Sequence, residues 1–267
     1  MDSRFCLLLL SGGVNPTLLA AKSPGKDVQG ILCRLVAGVA RDIDSLPVRA
    51  EDRVHDIRVR MKKFRSVLRL AETALKRAAF AKSDRLARNL KDHFGSARDN
   101  DVQTELLLDL LDESEAVATA AALGLPGNWN PDRDPGDARE MCAALASLVD
   151  QYDLAKLTSD DVAEAWLASY RNSRRAMRAC REGTNDDFVF HEWRKRVKTF
   201  LYQSAEIGPP LDKSAPKTDR LASVLGSHHD LAILAKRLTE HLPGSNAERA
   251  ALSKKNQIGR ASCRERV

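Results

Sequence analysis

The decapeptide His55-Asp56-Ile57-Arg58-Val59-Arg60-Met61-Lys62-Lys63-Phe64 has a counterpart 136 residues further on, His191-Glu192-Trp193-Arg194-Lys195-Arg196-Val197-Lys198-Thr199-Phe200. In both copies an apolar residue precedes the histidine, an acid follows it, and basic residues stand three and seven positions later. Such spacings place side chains on one strip of an α-helix. His55, Arg58, Lys62, Arg65 and Arg69 form that strip in the first copy. A second strip, Val54, Ile57, Met61, Phe64, Leu68 and Leu75, lies one residue and therefore roughly 100° away, and is expected to face the core. The later copy repeats the design, with Phe190, Trp193, Val197 and Leu201 apolar beside His191, Arg194 and Lys198. Basic side chains at the edge of a core rest their stems on apolar surface and present charge into a groove. Two helices built alike invite one shared anionic ligand.

The rest of the composition agrees with a helical reading. The chain has 267 residues, enough for one large or two small domains with their own cores. Charged residues make up 30% and aromatics 5%, a profile of helices rather than of sheets. The net charge of +6 is unevenly spread. From Arg53 to Arg69 there are seven Lys or Arg against the single Asp56, and from Arg171 to Arg181 five Arg and no acid. Local clustering, more than the total, attracts a polyanion. The five cysteines, Cys6, Cys33, Cys142, Cys180 and Cys263, are odd in number and scattered, which argues for a reducing, cytoplasmic setting and against a zinc site. The apolar run Phe5 to Leu10 is too short to span a membrane and is read as no signal peptide; no other stretch approaches a span.

Taken in order, residues 1–25 carry little pattern. A helix is predicted from Ser23-Pro24 through Val39, ending near Pro47. The first histidine helix is predicted from Ala50 to about Ala81, followed by Ser83 to Lys91. A fresh start is predicted at Gly95 to Asp101, and a leucine-rich helix from Val102 to about Leu123. Gly124 to Gly136, with three prolines and three glycines, reads as a linker dividing residues 26–123 from 137–256. Beyond it, helices are predicted at Ala138 to Tyr152 and Asp160 to Arg181, then the second histidine helix up to Gly208-Pro209-Pro210. Leu225 to Leu231 loosely resembles the turn at Phe94 to Val102. Gln257 to Val267 breaks the helical pattern and resembles a translated adapter sequence, so 257–267 is set aside as a non-native tail.

At Val54 to Arg65 and Phe190 to Lys198 the chain resembles the CHAD domain, a helical family named for its histidines. Ala97 to Val102, Tyr170 to Met177 and Leu225 to Asp230 extend the resemblance to about Lys26–Leu242. It implies an all-α fold of two four-helix-bundle subdomains related by an internal pseudo-twofold repeat, with basic helices lining a shared groove or cavity. It also implies binding of inorganic polyphosphate and association with polyphosphate granules. The segment before it is too short for the triphosphate-hydrolysing tunnel domain that some relatives carry. One departure is visible: 136 residues after Arg65 and Arg69 stand Leu201 and Ala205, so the second strip loses its charge sooner and carries Tyr202 beside it.

Strip and resemblance together nominate Arg58, Lys62, Arg65, Arg69, Arg174, Arg178, Arg194 and Lys198 as phosphate contacts, with Arg34, Arg41 and Arg98 as secondary ones. A guanidinium donates two parallel hydrogen bonds to a phosphate, and lysine supplies a mobile charge. A plain solvated helix face is the competing reading, evenly so for Arg60, Lys63, Lys195 and Arg196, which lie at the strip margins. His55 and His191, expected as a pair, are either phosphate donors or structural residues at a seam between helices. The loss of charge after Lys198 predicts an asymmetric groove, with the His55 helix dominant and Arg171 to Arg181 compensating.

No catalytic constellation emerges. Asp56 and Glu192 point about 100° from their neighbouring histidines, so they are expected to pair with bases of the far face or of another helix. His228-His229 lacks metal-ligand spacing, and there is no phosphate loop. The expectation is a non-enzymatic polyphosphate binder without metal, cofactor or membrane attachment. The alternative is a protein that binds nucleic acid or nucleotide phosphates, disfavoured because Tyr202 is the one tyrosine or tryptophan placed to stack beside a strip.

Overall fold

The structure, a computed structural model, describes residues 23–46, 50–125, 135–182, 186–207 and 215–262, apart from the side chains of 50, 51, 95–99, 207, 215, 216 and 260. Every regular element among them is a helix. In order they are α1 (Pro24–Asp44), α2 (Ala50–Leu68) prolonged by a 3-10 turn (Arg69–Ala71), α3 (Arg77–His93), α4 (Gly95–Leu110), α5 (Glu113–Ala122), α6 (Pro135–Asp150), α7 (Ser159–Glu182), α8 (Asp187–Ile207), α9 (Ala215–His241) and α10 (Asn246–Ser262).

The apolar strips become core. Val54, Ile57, Met61, Phe64 and Leu68 on α2 are buried, as are Phe190, Trp193 and Val197 on α8. Several helix ends differ from their predicted positions. The first histidine helix stops at Leu68 instead of running to Ala81, because Phe80, Ala87 and Leu90 must fold back onto the same core. No Gly or Pro marks that turn, so periodicity alone misses it. The leucine-rich stretch is two helices, broken where Asp112 accepts the Glu115 N–H at 2.9 Å as an N-cap. At the end of α5, Gly124 takes φ 62°, and the Leu125 and Gly124 N–H groups bond to Ala120 O (2.9 Å) and Ala121 O (3.0 Å). That is a Schellman ending, which asks for a residue tolerant of the left-handed region. Leu225–Leu231 lies inside the continuous α9, with no turn, and α10 runs on past Gln257 to Ser262.

The packing does not follow the predicted division at the linker. The largest core joins α1, α2 and α3 to α6, which supplies Ala138, Cys142, Leu145 and Val149. Helix α1 explains why: its buried positions Val28, Ile31, Leu32, Leu35, Val36, Val39 and Ile43 wrap too far around the axis for one partner to cover. Helix α2 takes one side and α6 the other, where the Cys142 thiol lies 3.6 Å from Val36 O and the Gln29 amide donates to Val149 O at 2.8 Å. Helices α4 and α5 instead join α9 and α10 through Leu107, Ala116, Ala120, Leu234, Leu238 and Ala251. A third cluster, including Met177, Phe190, Trp193, Val197 and Leu225, ties the later half of α7 to α8 and α9. The chain thus leaves its first bundle after His93 and returns to it at α6.

Two further contacts set up the site. Gln203 on α8 donates to Ser66 O on α2 at 2.9 Å, a pair 137 residues apart. This is within one residue of the 136-residue offset between the histidine copies, so the two helices touch at nearly equivalent points. Arg60, at the margin of the strip, forms an ion pair with buried Asp42, Nε to Oδ2 2.7 Å, beside Gly38. A Cβ on Gly38 would stand 2.8 Å from that guanidinium, so a larger residue there would have to displace the Arg60 side chain.

Candidate functional site

Helices α2, α3, α7 and α8 enclose a cleft of about 610 Å³. Its lining includes Lys62, Arg65, Ser66 and Arg69 from α2 and its 3-10 turn, Arg88 and Lys91 from α3, and Ser169 and Asn172 from α7. Helix α8 contributes His191, Glu192, Arg194, Lys195, Arg196, Lys198, Thr199 and Tyr202. Among the described lining residues, nine Lys or Arg therefore face one carboxylate.

The basic groups are not equally compensated. In the middle, burial and the charges of Lys198, Arg194, Arg58 and Lys91 push the Lys62 ammonium down to about 7. Burial and Arg194 also lower Lys198, partly opposed by Asp230 and Asp219. Among the described residues the buried Arg194 Nε–H has no hydrogen-bond partner. Concentrated like charge of this kind, away from water, favours an anion that would take up both the charge and the unused donors. At the arginine end the situation is different. Arg65 forks onto Asp84 (Nε–Oδ1 2.8 Å, Nη2–Oδ2 3.3 Å), Arg88 adds a bond of 2.9 Å, and Arg69 stands at 3.8 Å. Burial acts to raise the Asp84 carboxyl, but the Arg65 hydrogen bond and charge, with Arg69 and Arg88, hold it below the usual carboxylate range.

Glu192, the one lining carboxylate, is held by Lys195 and by Arg196 at 3.7 Å. Asp56 likewise pairs with Arg53 at 3.7 Å. Both acids therefore find bases one turn away on their own helices, not on the far face or a neighbouring helix, because i,i+3 and i,i+4 pairs are the nearest available.

His55 and His191, equivalent in the repeat, sit in different surroundings. His55 is exposed on α2 and outside the cleft lining. His191 instead meets His229 of α9, Nδ1 to Nδ1 3.1 Å with ring centroids 4.3 Å apart. A contact of that kind needs one ring to donate and the other to accept. Burial, Arg194, His191, His228 and Lys62 push His229 down to about 3, and burial with Lys195 and Arg194 lowers His191. His191 thus lies at the seam between α8 and α9 and also borders the cleft.

Of the remaining nominated residues, Lys62, Arg65, Arg69, Arg194 and Lys198 are brought together in the lining. Arg58 lies just outside it, donating to Phe94 O at 3.3 Å, yet close enough to act on Lys62. Arg174 sits over the Tyr170 ring, 6.0 Å from its centroid. Arg178 and Arg41 are exposed outside the lining, and exposed Arg34 reaches Glu206 at 3.4 Å. The Arg98 side chain lies outside the described residues. Helix α7 presents Ser169 and Asn172 to the cleft, not its arginines, so the expected compensation by Arg171 to Arg181 is absent from this lining. Nor does the His55 helix dominate: α8 supplies Arg194, Lys195, Arg196 and Lys198. A helix forming a concave wall exposes more than one i,i+3/i+4 strip, which brings in Lys195 and Arg196 from the margins. Arg88 and Lys91 were missed, although Asp84, Arg88 and Lys91 stand four and three apart on α3. Among the described residues no group of three or more His, Cys, Asp or Glu is placed to hold a metal ion, and no helix is long and apolar enough to cross a membrane.

A family model of the CHAD domain matches residues 34–239, which include both histidine helices and every residue lining the cleft. No curated protein matches the chain. Among solved structures, the crystal structure of the CHAD domain from the plant Ricinus communis is similar, with a TM-score of 0.56 over 92% of this chain and 93% of that one. At 17% identity this likeness concerns the fold alone. With the family model spanning well over half of its length and the fold in agreement, the chain belongs to the CHAD domain family.

Proposed function

We propose that this protein binds linear inorganic polyphosphate in the cleft between α2, α3, α7 and α8, without hydrolysing it, and that this binding attaches it to polyphosphate granules in the cytoplasm. The observation that carries the reading is the convergence of nine Lys or Arg on one cleft with Glu192 as the lone carboxylate. Polyphosphate carries about one negative charge per phosphate, so a cationic cleft gains affinity by releasing condensed counterions, as a DNA-binding face does. The mutually repelling cations Lys62, Arg194 and Lys198, only partly offset by Asp230 and Asp219, support an anion with closely spaced charges. A binding role rather than a hydrolytic one is supported by Glu192, whose carboxylate is taken by Lys195 and Arg196. Nucleic acid fits less well, since Tyr202 is the one Tyr, Trp or Phe ring in the lining and base recognition leans on stacking.

Titration with long-chain polyphosphate at several salt concentrations tests the proposal. Saturable binding that survives near-physiological salt, and that single-stranded RNA competes for only weakly, is expected. Equal binding by a variant carrying Lys62→Ala, Arg194→Ala and Lys198→Ala would sink it, as would phosphate release in the presence of magnesium or manganese for the non-hydrolytic part.

A further inference from the structure

Asp84 stands behind the arginine end of the cleft. It does not line the cleft, and its side chain is 13% exposed. Its two oxygens take a fork from Arg65 and a bond from Arg88, with Arg69 at 3.8 Å. By Coulomb's law alone, a carboxylate beside a polyanion site opposes the ligand. Asp84 cannot step aside as a displaceable stand-in would, because it is on α3 one turn before Arg88, and packed against α2 through Arg65. Its geometry offers something else. A guanidinium has five N–H donors in a rigid plane, and Asp84 uses two of those of Arg65 and one of those of Arg88. Arg69 is tied in as well, by a 2.6 Å bond from its Nη1 to Arg65 O. The side chains are immobilised while donors remain for a ligand, so ordering them is not charged against binding.

Building on the polyphosphate reading above, we propose that Asp84 is a positioning residue of the phosphate site, fixing Arg65, Arg69 and Arg88 so that their remaining donors meet phosphoryl oxygens in a preset arrangement. The consequence is opposite in sign to simple electrostatics. Removing the negative charge weakens polyphosphate binding even though the cleft becomes more positive.

The test is titration of the full chain with long-chain polyphosphate at low and near-physiological salt, with thermal melting as the folding control. Asp84→Asn is expected to bind about tenfold more weakly, from the added ordering of freed arginine side chains. The deficit should persist at the higher salt, where the Coulombic gain from a lost carboxylate is screened. Glu206→Gln removes a carboxylate that contacts Arg34 and Lys63 but no lining residue, and is expected to bind as tightly as wild type or tighter. Asp84→Asn that binds as tightly as wild type or tighter overturns the role of Asp84. Should that variant fail to fold, Arg65→Lys decides: it keeps the charge but loses the fork, and unchanged affinity overturns the proposal. Wild-type protein that shows no saturable binding overturns the polyphosphate reading itself, a result distinct from either.

Discussion

If the cleft binds polyphosphate as proposed, Lys62 should couple that binding to proton uptake. In the empty cleft its ammonium is pushed down to about 7 from an ordinary value of 10.5, first by burial and then by Lys198, Arg194, Arg58 and Lys91. About ten in eleven Lys62 side chains then carry a proton at pH 6, and about one in eleven at pH 8. A bound polyanion cancels the repulsion and returns the ammonium towards its ordinary value, so binding above pH 7 must take up a proton. The affinity then falls about tenfold from pH 6 to pH 8, and about tenfold for each further unit until the bound-state value is reached. Long chains suit the assay, because their internal groups stay ionised throughout. Titrations at constant ionic strength from pH 7 to 8.5 remove the histidines, since His229 is neutral there and any contribution from His191 lies lower, and comparison with Lys62→Met separates Lys62 from Lys198, whose ammonium is also lowered. Lys62→Met should bind more weakly at pH 6 and lose the slope. A slope of the same size in Lys62→Met, or a flat profile in wild type, would refute the reasoning.

The same shift has a consequence for the empty protein. Because the folded-state value lies below the unfolded one, the unfolded chain binds more protons between them, so the penalty is full below pH 7 and fades as pH rises towards 10.5. Lys62→Met should therefore melt above wild type at pH 6, by a margin that shrinks by pH 9. Arg194→Ala should reduce the slope of log affinity against log salt by about one, the loss of one phosphate contact; an unchanged slope would remove Arg194 from the site. Arg178→Ala and Arg34→Ala, both outside the lining, should change affinity by no more than about twofold at physiological salt, where charges beyond roughly 8 Å are screened. Leu145→Ala should cost about 2–5 kcal/mol in denaturant melts, with hydrogen exchange accelerating in α1 and α3 before α9 and α10; the reverse order would contradict the packing of α6.

Much of the site was legible in the sequence because it sits on two helices. Residues three and four apart share a face whatever the tertiary fold, so Lys62, Arg65, Arg69, Arg194 and Lys198 could be grouped before any packing was known. The same periodicity identified Val54, Ile57, Met61, Phe64, Trp193 and Val197 as core, and the paired histidine motifs pointed to the family. Helix breaks without Gly or Pro, as after Leu68, left no such mark.

Partner choice is where local pattern stops. Helix α6 reads as part of the second half, yet its apolar stripe covers the open side of α1. His191 resembles His55 in sequence, yet its ring meets His229. Nothing in the sequence singled out Asp84, yet it gathers three arginines behind the cleft. Ser66 and Gln203, 137 residues apart, join the two basic helices. Periodicity specifies which face of a helix is apolar or charged; the face it packs against depends on shape and charge complementarity between segments far apart in the chain, and that is settled only when all the helices compete for the same core.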